Sequence, residues 1–104
     1  MRPNQAERMR RRKEFEAGLN RLRVHQIETI IAESDRICIE LGHQIEAEEQ
    51  RARISDPAHF AYPTLAKAAR DRRAKIQGSV NALKIELNRL NFEANESSNQ
   101  ELAA

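Results

Sequence analysis

Three histidines, His25, His43 and His59, and a single cysteine, Cys38, are the residues of this 104-residue chain most able to ligate a metal or to serve as nucleophile and base. They share no ligand-like spacing, and no nucleophile stands with a base and an orienting group. The expectation is therefore a protein that is not an enzyme, with no catalytic residue, no metal and no cofactor. Cys38 has no internal partner and falls on an apolar stripe, which is the usage of a reducing compartment. The other chemically distinctive feature is the run Arg8, Arg10, Arg11, Arg12 and Lys13. Adjacent cations of this kind attract acidic protein surface or phosphate. Residues 1–23 hold eight Lys or Arg against three Glu while the whole chain carries only +2, so the remainder is acidic and the basicity is local. No zinc spacing, RNA-binding aromatic motif or helix-turn-helix pattern accompanies the cluster. The heptads also begin too late for a basic zipper, which makes nucleic acid the less favoured partner.

Composition fixes the elements that must carry these residues. Aromatic content of 4% with no Trp is too little for a bulky globular core, and 33% charged residues with three Gly and three Pro suit a solvated helical rod. No apolar run is long enough to cross a membrane, and no apolar segment follows the arginine-rich start as a secretion signal would require; the expected location is cytoplasmic.

Two stretches repeat apolar residues at heptad spacing. The first runs Val24, Ile27, Ile31, Ser34, Cys38, Leu41, Ile45, Glu48 and Ala52. The second runs Leu65, Ala69, Arg72, Ile76, Val80, Leu83, Leu87, Leu90 and Ala94, with two successive steps of four after Arg72 that read as a stutter. The fold class this predicts is all-α: a long two-helix antiparallel coiled-coil hairpin with a Pro-containing corner at about residues 54–64. Within one domain spanning residues 1–104, the first helix is expected over about 4–53, the corner over 54–62, the second helix over 63–98 and a polar tail over 99–104. Folding back at the corner sets Leu41 against Ile76, Ile31 against Leu87 and Ile27 against Leu90. It also brings Glu46, Glu48 and Glu49 toward Arg70, Arg72 and Arg73.

The corner has its own punctuation. Asp56 before Pro57 reads as a helix N-cap and N1 proline opening a short turn of helix, and Pro63 opens the second helix. Phe60 and Tyr62 are expected to pack over the end of the seam. Gly42 and Gly78 fall near one another across the hairpin and suggest a close approach.

Candidate function lies outside the seam. Phe15, Leu19 and Leu22 do not continue the stripe that starts at Val24; they point away from it, beside Arg8, Arg11, Arg12 and Lys13. An apolar stripe next to a basic one suits a helix-in-groove contact with an acidic partner. Ile30 and Ile37 on the first helix, and Ile85 and Phe92 on the second, are each seven apart and lie beside the seam. They suggest a second buried edge, through a homo-oligomer or a bound helix.

The corner segment Ile54-Ser55-Asp56-Pro57-Ala58-His59-Phe60-Ala61-Tyr62-Pro63-Thr64, followed by Ala66-Lys67-Ala68-Ala69, resembles the loop of alphaproteobacterial flagellar export proteins of the FliJ type. Phe15, the segment Val24-His25-Gln26-Ile27-Glu28, Ile31-Ala32 and Glu46-Ala47-Glu48-Glu49 are similar to that family's first helix at compatible spacing. The resemblance implies a two-helix antiparallel coiled coil in flagellum biogenesis and motility. Such a protein takes part in type III protein export at the flagellar base, with the export ATPase, the export-gate membrane protein and substrate chaperones as partners. It carries over to the corner and to Phe15. Two readings stand beside it: a basic coiled coil that binds nucleic acid, and a coiled coil that only self-associates.

Overall fold

The computed structural model describes residues 4–103, with side chains described from Asn4 to Gln100. It contains two helices, α1 (Gln5–Ala52) and α2 (Thr64–Ala103), with no strand among the described residues. The architecture is the all-α helical hairpin that the heptads predict.

Helix α1 starts at an asparagine N-cap. Asn4 accepts the Glu7 amide through Oδ1 at 2.8 Å while its carbonyl accepts the Arg8 amide at 3.0 Å, which satisfies donors that the first turn would otherwise leave open. The helix stops at a Schellman motif. Arg53 lies in the left-handed region at φ 57°, its amide bonds the Gln50 carbonyl, and the Ile54 amide reaches the Glu49 carbonyl, both at 3.3 Å. Glycine is the residue this position favours, because the left-handed region crowds a Cβ. Helix α2 takes Pro63 as its first carbonyl acceptor, bonded by the Lys67 amide at 3.0 Å. It continues through Ala103, so residues 99–103, expected as part of a polar tail, are helical; Ala104 lies outside the described residues. The segment Glu96-Ser97-Ser98-Asn99-Gln100 is polar but has neither Gly nor Pro, and nothing in it stops a helix already propagating.

Between the helices stand two successive β-turns where a short helical turn was expected. The His59 amide bonds the Asp56 carbonyl and the Tyr62 amide bonds the His59 carbonyl, each at 3.0 Å. Each turn opens on a residue whose side chain also accepts an amide two positions on: Asp56 Oδ1 from Ala58 at 2.9 Å, and His59 Nδ1 from Ala61 at 3.0 Å. Asp56 is therefore the acceptor of an Asx turn and not a helix cap, and Pro57 supplies the fixed φ of the first turn's second position.

The chain divides into two compact units. One is Ile30–Lys84, with the corner at its end; the other joins the residues up to Thr29 to those from Ile85 onward. In the first, Leu41 and Ile45 of α1 are buried with Ala66 and Ala69 of α2, and Ile37, Tyr62 and Ile76 pack against them. Leu41 and Ile76 share this core as expected. In the second, Ile27 is fully buried and Leu90 nearly so, and Arg23 binds Glu86 through two hydrogen bonds of 3.3 Å.

Along α2 the inward positions are Ala66, Ala69, Arg73, Ile76, Val80, Leu83, Leu87 and Leu90, all buried or half-buried. Their steps alternate three and four without a break. The expected stutter is absent, because Leu65 and Arg72 are exposed and Ala66 and Arg73 take the seam instead. The nearest atom to a Cβ built on Gly42 is the Arg73 guanidinium, at 3.5 Å, whereas nothing lies within 4 Å of one built on Gly78. The two glycines are thus not a close backbone approach.

Replacing Arg53 by Gly relieves the left-handed strain and is expected to stabilise the protein by roughly 1 kcal/mol. The check is a higher urea midpoint with an unchanged slope; a lower midpoint would show that Arg53 makes a compensating contact.

Candidate partner-binding surfaces

The first surface is the N-terminal arm of α1. Every residue from Arg8 to Ala17 is exposed, and Phe15, Leu19 and Leu22 are 67%, 50% and 53% accessible. At about 100° per residue these three form one stripe, which Arg8 and Arg12 extend toward the N-terminus and which Arg11 borders. Lys13 falls about 150° away and leaves the patch. Among the described residues, none of Arg8, Arg10, Arg11, Arg12 and Lys13 takes part in an ion pair. Several arginines elsewhere are engaged, Arg23 with Glu86, Arg51 with Glu48, Arg70 with Glu49 and Arg89 with Glu93, whereas Arg21, Arg53, Arg72 and Arg73 form no ion pair among the described residues. Arg36 sits between Glu33 and Glu40 on one face of α1. The Arg36 hydrogen bond, and then its charge, hold the Glu33 carboxyl below the ordinary carboxylate range. Five basic residues without an ion pair thus stand within six successive positions of the arm, next to its exposed apolar side chains.

The second surface is the corner, where the two aromatics part. Tyr62 faces inward: its hydroxyl donates to Glu49 Oε2 at 2.9 Å and accepts from Arg70 Nε at 2.7 Å, while the Arg70 terminal nitrogen also reaches Glu49 Oε2 at 3.2 Å. The Arg70 guanidinium lies 5.9 Å from the Tyr62 ring centroid. Its pKa is raised, first by the bond to Tyr62 and then by the bond to Glu49. Of the expected charge matches only Glu49 with Arg70 forms; Glu48 turns to Arg51 in its own helix. Phe60, expected to cover the seam with Tyr62, is instead 97% exposed and stacks on the His59 ring at a centroid distance of 4.7 Å. The tight turn points position 60 outward, and Tyr62 alone closes the core. Pro63 is half-buried, while Asp56 and Pro57 are exposed.

The four residues expected to form a second edge do not act alike. Ile37 packs against the Leu41–Ile45 core, so it belongs to the inner seam. Ile30, Ile85 and Phe92 are exposed at 45%, 72% and 65%. Sequence reasoning passed over the Asn4 cap, although Asn three residues before Glu ahead of a helix signals it, and over the hydrogen-bonding role of Tyr62, which no local pattern announces.

Among the described residues no group of three or more His, Cys, Asp or Glu is placed to hold a metal ion, and no helix is long and apolar enough to cross a membrane. No protein-family model, curated protein or solved structure matches the chain.

Phe60→Ala is expected to leave stability within about 0.5 kcal/mol, since it uncovers nothing. Tyr62→Phe, which removes the hydroxyl shared by Glu49 and Arg70, is expected to cost about 0.5–1.5 kcal/mol. Denaturant unfolding of the two variants side by side checks the division of labour; equal losses would contradict it.

Proposed function

We propose that this protein is a non-enzymatic coiled-coil adaptor of flagellar type III export, located in the cytoplasm at the flagellar base. It engages the export ATPase through the N-terminal arm of α1, and it also has the export-gate membrane protein and substrate chaperones as partners. The observation that carries the reading is the arm itself. Phe15, Leu19 and Leu22 are exposed in line with unpaired Arg8 and Arg12, with Arg11 at the edge, on a face of α1 turned away from its buried positions. An exposed apolar stripe costs solubility unless a partner covers it, and bordering cations select an acidic groove. The similarity of the corner and of Phe15 to proteins of the FliJ type supplies the identity of the partners.

The test is a titration of the purified protein against the export ATPase of the same organism at two salt concentrations. Saturable binding is expected, weakened at the higher salt because the charges steer encounter. Phe15→Ala combined with Leu19→Ala should raise Kd by roughly tenfold or more with the helical circular dichroism unchanged. Loss of helicity in parallel with binding would assign these residues to folding instead.

A second reading rests on the same unpaired arginines, which project on several sides of the arm and would suit phosphates. Affinity for unrelated DNA that falls steeply with salt, together with no affinity for the ATPase, would favour it.

A further inference from the structure

We propose that the outer face of α2 from Ile85 to Asn99 is the seam of a parallel, in-register homodimer, the occupant being the same face of a second copy of this chain. This goes beyond the export reading and does not depend on it.

The stripe consists of Ile85, Asn88, Phe92, Asn95 and Asn99, at steps of three, four, three and four, the spacing of a coiled-coil seam. All five are exposed, with Ile85 at 72% and Phe92 at 65%. Its centre lies about 120° around the helix from the inward position Leu87 and about 180° from Leu90, so the hairpin's own packing leaves it open. Four charged residues occur between Ile85 and Asn99, namely Glu86, Arg89, Glu93 and Glu96, and none falls on the stripe. A face kept only for solvation in a chain with 33% charged residues would carry some of them. Arg89 is moreover already bound to Glu93 at 2.9 Å.

The asparagines select the partner. Asn88 and Asn95 are seven apart, and the sequence places Asn81 one heptad earlier; Ile85 and Phe92 form the alternate set, also seven apart. A carboxamide has both a donor and an acceptor, so it satisfies itself best against another carboxamide. In a parallel, in-register pair identical positions meet: Asn faces Asn, and Ile and Phe face their own kind. In the antiparallel arrangement the two alternating sets face each other, which would bury each amide against Ile or Phe with no partner. An unrelated apolar helix would leave the amides equally unsatisfied. Buried Asn in a coiled coil fixes register at some cost in affinity, so the association is weak, with Kd on the order of 10–100 μM across two heptads of contact.

The experiment uses the full chain carrying Cys38→Ser, so that an introduced thiol is the only one. Sedimentation equilibrium from 5 to about 500 μM, a range that brackets the expected Kd, should show a monomer–dimer equilibrium. Ile85→Ala with Phe92→Ala, both exposed in the hairpin, should weaken it by roughly tenfold or more without loss of helicity. Asn95→Cys should cross-link to itself under mild oxidation much faster than Ser97→Cys, which lies on another face of α2. A monomer at every concentration would overturn the proposal. A dimer in which Asn95→Cys cross-links no faster than Ser97→Cys would overturn the parallel register, and a dimer indifferent to Ile85 and Phe92 would overturn the face.

Discussion

The rest of the hairpin depends on where α2 begins relative to α1, and one phenol hydroxyl sets it. Tyr62 stands two residues before α2, yet it binds Glu49 in the last turn of α1 and Arg70 in the second turn of α2. Three polar groups close upon one another there, leaving no buried side-chain donor or acceptor without a partner among the described residues. With that point fixed, Ala66 and Ala69 are the residues that meet Leu41 and Ile45, and their small side chains allow the helices to approach while the Tyr62 ring fills the end of the core. Had Leu65 led the seam, every later position of α2 would have turned. Beginning at Ala66 yields the unbroken alternation of three and four that ends at Leu90.

Charge is distributed on the same logic. Five arginines in the body of the hairpin are matched, either between the helices, as Arg23 with Glu86 and Arg70 with Glu49, or along one helix, as Arg36, Arg51 and Arg89; among the described residues Arg21, Arg53, Arg72 and Arg73 are not. Such exposed pairs contribute little stability, about 0–1 kcal/mol each, but they cancel local fields. The arm before Gly18 lacks this cancellation. The arm therefore offers a partner a run of uncancelled basic residues beside the exposed Phe15, Leu19 and Leu22.

Much of this was legible in the sequence because a two-helix seam is a one-dimensional pattern. Spacing alone placed Ile27, Leu41, Ile45, Ala69, Val80 and Leu90 inside, and put Phe15, Leu19 and Leu22 outside. Errors arose where the deciding physics was not periodic. Leu65 is more apolar than Ala66, and only the geometry of the corner shows that the smaller residue is the buried one. Arg72 and Arg73 are chemically equivalent to a pattern search, and only the second falls on the seam. Phe60 and Tyr62 are both aromatic, but paired β-turns send one outward and a hydrogen-bonding hydroxyl draws the other in. Arg53 in the left-handed region could not be foreseen, since nothing in its side chain favours that conformation.

The corner also orders events in time. Its tertiary bonds link residues only 13 and 21 positions apart, whereas the Arg23–Glu86 pair closes 63. Closing a loop costs entropy that grows with its length, and the shorter closures come first. Folding should thus begin at Tyr62 and run outward as a zipper, each layer shortening the loop the next must close. The first turns of α1 and the last turns of α2 order last and fray first, and a ligand that binds there acts on the helical segments with the least cooperativity to lose.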